Sequence, residues 1–509
     1  MTIIRQTTLQ FTDLLGSRTG CTTKGSNKFW KGSVIDNGNG TGDFKCLWGS
    51  TGTAGKTTGS KLGIPLSKAI STFESKRKSK IKKGYTELEV RSDAEEVAKQ
   101  KAAGVVAAPV AAPVAGRKFD PRVETLLATI YNETSKTVRA GLSSQAGATA
   151  SNPIGNLSDS QLDKGGRILD QIEGLLEREF GQESTSNASL TLPLGTGRMP
   201  RLDIINLTND FMSNVPRAIA REQRGRANIH RLVISSYERL TEQRKFLQLL
   251  RDAHVSKAIF KQAAAQTSAS SKAAVWYDGL NCDIEALDST HADFKWVKEV
   301  FDNQQSKRNS NWWSGGRARC KVVRVFRFTR TGTEAGFEKY AQEVTAKQGA
   351  TGRIFGWHGT RTANLLGIGK SGLLMPENLP SGVHISGKAF GRGIYHAPAW
   401  NATKTTKVGR HATDGTNGAL KSMNYTGHRS AYYGGSGTGN VFMFLQEIAL
   451  GTPEVRHSAC WDQKRPNGFP QNDWIYANAG GCSTLTHDEI VTFDENAQIF
   501  RYLVEIGVD

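Results

Sequence analysis

The stretch "FKCLWGSTGTAGKTTGS", residues 44–60, ends in Gly55, Lys56 and Thr57, which are the closing letters of a phosphate-binding loop. Its reading decides whether the chain binds a nucleotide near its start. Such a loop needs Gly, four residues, then Gly-Lys-Ser/Thr, because its backbone N–H groups curl round phosphates at the mouth of a helix. Here the first glycine would have to be residue 50, which is Ser50; the nearest is Gly49, one residue out of register. The next stretch, with Thr57, Thr58, Gly59, Gly63 and Pro65, cannot form the first turns of a packed helix. Residues 44–60 read instead as a glycine-rich turn after a strand, and Trp48 is left needing a role.

Working outward, Phe29–Ile35 and Asp43–Trp48 are strand-like runs joined by "DNGNGTG", whose Asn and Gly residues accept positive φ. Phe44, Cys46 and Trp48 alternate and so share one face. Beyond the glycines, Leu66, Ala69, Ile70 and Phe73 recur at helical spacing, and that helix runs into "KRKSKIKK", residues 76–83, the densest positive run in the chain. A solvated helix face explains such a run as readily as a nucleic-acid contact does. Residues 91–117, an Ala/Val/Pro-rich run without aromatics, read as a linker that cuts off a module over 1–90.

At 509 residues the chain implies two to four domains. No long apolar run or charged-then-apolar leader is visible, which favours a soluble protein without a membrane partner. The six Cys (21, 46, 282, 320, 460, 482) form no C-x-x-C pair, which argues against zinc, against a disulfide framework and for a reducing compartment. Lys plus Arg number 66 against 47 acids, a formal charge of +19. Such an excess favours a polyanionic partner, since neutralising phosphates releases condensed counterions.

Residues 118–270 read as helical: "NLSDSQLDKGGRILDQIEGLL" sets Ser158 three residues before Gln161, a capping box, and then places Leu162, Leu169, Ile172 and Leu176 on one face. A second helical run is expected from about 218 to 264. Over 271–509 the texture changes to strands, "CKVVRVFRF", "VFMFLQEIAL" and "IFRYLVEI", joined by glycine-rich loops. The fold class is therefore α+β multidomain: a small β-rich module, an all-α domain and a mixed or antiparallel-sheet domain.

Four pieces of the last region carry chemistry: "GWHGTR" (356–361), "GRGIYHA" (391–397), "HRSAYYGG" (428–435) and "HDEIV" (487–491). Each alone is weak. Together, in order and spacing, with "LLGIGKSGLL", "FLQEIALG" and the closing "AQIFRYLVEI", they resemble the catalytic domain of the poly(ADP-ribose) polymerases, known for a His-Tyr-Glu triad. Upstream, "PIGNLSDSQLDKGGRILDQIE" and "IINLTNDFMSNVPR" resemble the helical regulatory domain of the DNA-dependent members. "NKFW" and "LWGSTGTAGK" are similar to their WGR domain.

The resemblance implies NAD+ as substrate and no metal. It makes Glu489, His358 and Tyr395 the catalytic residues: Glu489 near the oxocarbenium-like centre formed when nicotinamide leaves, His358 on the other ribose, and Tyr395 against the nicotinamide ring. Gly359 would meet the carboxamide through its backbone, with Thr360 and Gly367 lining the pocket. Direct counting from Tyr395 lands on Thr403 and Thr406; if residues 398–428 are an insertion, Ser430 and Tyr433 supply the carboxamide hydrogen bond and the second stacking ring. In the WGR module Trp48, Lys56, Lys76, Arg77 and Lys78 would meet the end of a broken duplex.

Two departures stand out. Leu374 occupies a place where the family often has an Arg near the adenosine, and Ser50 replaces the third letter of the WGR signature. The implied function is a polymerase activated by DNA strand breaks, nicked or 5′-phosphorylated, that modifies protein acceptors including itself. A mono-ADP-ribosyltransferase and a catalytically dead DNA-end scaffold are the alternatives. Localisation would be nuclear in a eukaryote, and cytoplasmic or nucleoid-associated otherwise.

Overall fold

The computed structural model describes residues 2–14, 26–89, 118–146, 157–180, 191–194, 197–217, 232–264, 266, 268–304, 320–379, 389–399, 423, 439–460, 463–478 and 488–508. The chain divides into two compact units. The first is chiefly Met1–Ala108 and Ser135–Val255; the second comprises Pro109–Thr134, Ser256–Leu379 and Ile385–Asp509.

In the first unit, β1 (Thr2–Asp13), β2 (Ser26–Asp36), β3 (Thr41–Ser50), β4 (Lys61–Pro65) and β5 (Thr86–Leu88) form one antiparallel sheet in the order β4-β3-β2-β1-β5. The β2–β3 connection turns through Gly38 and Gly40, both near φ +80°, as the Asn/Gly-rich sequence requires. Helix α1 (Leu66–Lys82) buries Ala69 and Phe73 against Leu9, Trp30, Val34, Phe44 and Cys46. The expected amphipathic stripe is thus the face that packs, and each large side chain it buries contributes about 1.5–3 kcal/mol.

The helical stretch opens with α2 (Pro121–Ala146), whose residues to Thr134 belong to the second unit. In the first unit, α3 (Asp159–Phe180), α4 (Leu202–Asn214) and the portion to Val255 of α5 (Tyr237–Ala264) surround Leu162, Leu169, Ile172, Leu176, Phe211, Phe246 and Leu250. A two-stranded ribbon, β6 (Thr191–Leu194) and β7 (Gly197–Pro200), interrupts these helices. Buried Arg244 on α5 is held by Asp170 and Glu173 of α3, each at 2.8 Å. The β-rich module is attached to this bundle. Thr12 N donates to Ser213 Oγ (3.1 Å), Leu14 N to Asn209 Oδ1 (2.9 Å) and Ser158 N to Glu89 O (2.8 Å), while Leu14 and Leu88 join the helical core.

The second unit is built on a nine-stranded sheet. Its strands are β8 (Cys282–Ala286), β9 (Cys320–Arg330), β10 (Gly352–Gly359), β11 (Ile394–Pro398), β12 (Gly439–Leu450), β13 (Thr452–Arg456), β14 (Asn472–Ala477), β15 (Glu489–Thr492) and β16 (Gln498–Val508). They lie in the order β13-β14-β15-β11-β10-β12-β16-β9-β8, and only the β13–β14 pair is parallel. The three apolar runs singled out in the sequence are β9, β12 and β16, neighbours in the sheet. Helix α6 (Ala269–Leu280) precedes β8, and α7 (Ala292–Asn303) follows it and packs Val297 and Phe301 among Trp357, Met443, Leu445 and Val504. Helix α8 (Glu334–Thr345) packs Phe337, Ala341 and Val344 against Ala449 and Ile499, and α9 (Leu365–Ser371) follows β10.

Candidate functional site

The site forms where β10 and β11 stop pairing. Their ladder holds Gly356 opposite Pro398 and Trp357 opposite Ala397, and ends there. Trp357, fully buried, anchors β10 through Nε1 to Gln304 Oε1 at 2.6 Å. At the next residue the side chain replaces the backbone: His358 Nδ1 lies 3.0 Å from the carbonyl oxygen of Tyr395. A carbonyl only accepts, so Nδ1 carries the proton and Nε2 is left as an acceptor. Burial lowers the pKa of His358, with the Tyr395 contact opposing more weakly, so the ring is neutral at pH 7. A neutral imidazole whose Nε2 carries no proton is suited to accept a hydrogen bond from a hydroxyl.

Tyr395 sits on β11 with its ring fixed at both ends. Its hydroxyl donates to Gly391 O (2.8 Å) and accepts from Phe390 N (2.9 Å), closing the "GRGIY" loop on itself. Gly393 is required in that loop, because a Cβ there would collide with the Thr492 carbonyl and Val491. Across the ladder Tyr395 faces Val491, and Glu489 lies two residues earlier on the same strand. Tyr395 and Glu489 therefore share one face of the sheet, roughly 7–8 Å apart as diagonal neighbours. Glu489 is the first residue of β15, buried and opposite Ala477.

Gly359 is the last residue of β10, half-buried. Thr360 is buried, and its Oγ1 accepts from Asn364 Nδ2 at 3.1 Å. Gly367 lies in α9 with open space where a Cβ would go, so nothing packed there demands a glycine. Ser430 and Tyr433, and nearly all of the 398–428 stretch, lie outside the described residues.

Three features escaped the sequence reading. His396, 2% exposed, lies in an edge-to-face arrangement with His358 at 6.1 Å between centroids and sets Nε2 3.3 Å from Thr492 Oγ1. Thr134 of α2 donates through Oγ1 to Ile130 O in its own helix (2.8 Å), and the same oxygen lies 3.2 Å from Ala363 O, three residues beyond Thr360. Tyr476 donates its hydroxyl to buried Asp488, the neighbour of Glu489. Alternation marks His396 and Asp488 as facing away from their neighbours, but nothing in the sequence names their partners.

In the β-rich module, the opening stretch folds back as a hairpin. Trp48 and Lys56 exchange backbone hydrogen bonds (3.0 and 2.7 Å), and no helix begins until Leu66. Trp48 is 38% exposed, its Nε1 donates to Thr58 O, and Lys56 Nζ lies 5.9 Å from its ring centroid. Lys76 and Lys78 are exposed. Arg77 differs: its guanidinium is engaged by Glu87 at 2.5 Å and by Glu74 at 3.6 Å. Ser50 stands directly opposite Lys28 in the β2–β3 ladder.

Family models match in the order of these parts: a WGR domain over residues 7–92, a poly(ADP-ribose) polymerase regulatory domain over 117–275 and a poly(ADP-ribose) polymerase catalytic domain over 291–506. The class this defines is a chain with a WGR module and a helical regulatory region in front of a poly(ADP-ribose) polymerase catalytic domain. The chain belongs to the poly(ADP-ribose) polymerase family. It is 25% identical over 279 residues to "Poly [ADP-ribose] polymerase 1" of Oryza sativa subsp. japonica, covering 54% of this chain and 24% of that protein. To "Poly [ADP-ribose] polymerase 2-A" of the same plant it is 22% identical over 343 residues, covering 67% and 41%. To "Poly [ADP-ribose] polymerase 2" of Arabidopsis thaliana it is 22% identical over 423 residues, covering 79% and 54%. The chain thus spans between a quarter and about half the length of these relatives.

Proposed function

We propose that this protein is a DNA-break-activated poly(ADP-ribose) polymerase, transferring ADP-ribose from NAD+ to protein acceptors, itself included, and releasing nicotinamide. The observation that carries the reading is the shared face of Tyr395 and Glu489 beside the split where His358 ends the ladder. Tyr395, its ring preset, offers a flat surface to the cationic nicotinamide ring. Neutral His358 accepts from a ribose hydroxyl through Nε2. The Glu489 carboxylate stabilises the positive charge that develops as the nicotinamide–ribose bond breaks, and accepts from the ribose and acceptor hydroxyls. The reaction needs no metal.

Trp48, with Lys56 over its ring, would pack on an exposed base pair at a duplex end, while exposed lysines meet phosphates. The Thr134–Ala363 contact supports a regulatory role for α2, since it brings a helix of the regulatory region against the loop that follows His358. In a eukaryotic host the protein would act in the nucleus. Incubation with labelled NAD+, with and without nicked duplex, tests the whole reading on a sizing gel. A DNA-dependent ladder supports it, a single sharp shift means mono-transfer, and no label in either lane overturns the enzymatic reading in favour of a scaffold.

A further inference from the structure

Two carboxylates, Asp488 and Glu489, stand side by side at the start of β15. Strand alternation sends them to opposite faces, and a slip of one residue would set the shorter Asp488 where Glu489 now faces Tyr395 and carry Glu489 to the place of Ile490 on the far face. Backbone hydrogen bonding alone does not distinguish the two registers. Something on the far face must.

That face holds Tyr476. In the β14–β15 ladder Tyr476 lies opposite Ile490, so it shares the face of Ile490 and of Asp488, two residues earlier. Its hydroxyl donates to Asp488 Oδ2 at 2.6 Å, with both residues no more than 3% exposed. The Tyr476 ring is held in an apolar block of Ile354, Ile448, Leu450, Trp474 and Ile490. Trp474 is fixed in turn by Nε1 donating to Gly451 O at 2.9 Å. Gly451 admits no side chain, because Asp473 Oδ2 fills the place of its Cβ while accepting from Thr452 N at 3.1 Å. Burial, and after it the bond to Asp488, raise the pKa of the Tyr476 phenol well above its ordinary value, so it remains a donor at any working pH.

We infer that Tyr476 and Asp488 are a positioning pair for the transfer step: their buried hydrogen bond keys the register of β15 and thereby selects Glu489, rather than Asp488, for the face of Tyr395. The slipped strand would leave the phenol without its acceptor and place a glutamate against an apolar block, a penalty the native register avoids. Neither residue touches substrate. Their effect on chemistry passes entirely through where Glu489 stands.

The inference rests on the reading of Glu489 as the reactive carboxylate, and a double-variant cycle on the full chain separates the two. Steady-state rates with nicked duplex and labelled NAD+ would be measured for Tyr476→Phe, Glu489→Gln and both together. Tyr476→Phe is expected to lower kcat by about tenfold or more, since sub-ångström misplacement of a reacting group is costly, with KM for NAD+ changed less than about twofold. The double variant should be no slower than Glu489→Gln alone, because a misplaced group that is already absent cannot be misplaced further. Asp488→Asn, whose amide oxygen still accepts from the phenol, should keep kcat within about threefold of the unmodified protein.

Multiplicative losses in the double variant would overturn the inference, as would a Tyr476→Phe protein with unchanged kcat. If Tyr476→Phe fails to fold, as judged by its circular dichroism, Asp488 becomes the deciding position: Asp488→Asn near full rate with Asp488→Leu at least tenfold slower supports the key, and equal rates for the two sink it. An unaltered rate from Glu489→Gln would instead sink the assignment of Glu489 itself.

Discussion

The residues at the site differ in how directly they can be tested. Glu489→Gln keeps the shape of the side chain and removes its charge, so on the proposed reading the developing cation loses a stabiliser. Loss of one such interaction costs on the order of 10²–10³ in kcat. Elongation on the sizing gel should collapse accordingly while DNA affinity, measured by fluorescence anisotropy, is unchanged. His396 gives a second measurement. Burial, and after it the neighbouring His358, push its pKa down to about 3, from about 6.5 in the unfolded chain. The folded state resists protonation that the unfolded state accepts, so the contribution of the neutral ring is complete above pH 6.5 and drains away as pH falls toward 3. The slope is at most about 1.4 kcal/mol per pH unit. His396→Phe should flatten the fall of Tm between those limits, and an unchanged curve would show that other groups carry it.

At the scale of elements, the capping box read at Ser158 and Gln161 is half present. Gln161 N does donate to Ser158 Oγ at 3.0 Å, but the Gln161 side chain does not return to the Ser158 N–H. That N–H is taken by Glu89 O; Gln161 accepts from Glu89 N (3.2 Å) and donates to Asn214 Oδ1 (2.9 Å), while Lys164 pairs with Glu89. A local motif has been recruited for tertiary contact. Gln161→Ala should therefore cost more than a surface cap, about 1–3 kcal/mol for the buried partners left unpaired, read as a lower denaturation midpoint. This marks the limit of what the sequence discloses. Periodicity exposed α1 through Leu66, Ala69 and Phe73, and β9, β12 and β16 through their β-branched and aromatic runs, because those patterns are local. The Tyr395–Glu489 face, the Gln161 clasp and the Arg77–Glu87 pair depend on register and on residues 10 to 94 positions apart, which no local pattern encodes.

For the whole molecule, the charge of +19 sets an expectation for salt. If the β-rich module meets phosphates, the logarithm of DNA affinity should fall linearly with the logarithm of salt, losing about 0.9 of slope per contact removed. Lys76→Ala should reduce that slope by about one contact. Arg77→Ala should leave it unaltered, because Glu87 and Glu74 already neutralise that guanidinium. Equal effects from both would mean that the ion pair opens on binding.

The hairpin that brings Lys56 back to Trp48 has one more consequence. Lys56 serves the fold only through its backbone, in the paired N–H and carbonyl that close the turn, whereas its ammonium group rests on the outer surface of an indole. If Lys56 meets DNA as proposed, architecture and recognition are written on different atoms of one residue, and selection can act on them separately. Position 56 is free to drift among any residues able to sit in a strand when DNA is not the constraint, and is confined to a cation when it is. A library of substitutions at that position, scored once for soluble yield and once for retention on nicked duplex, would see those two pressures come apart.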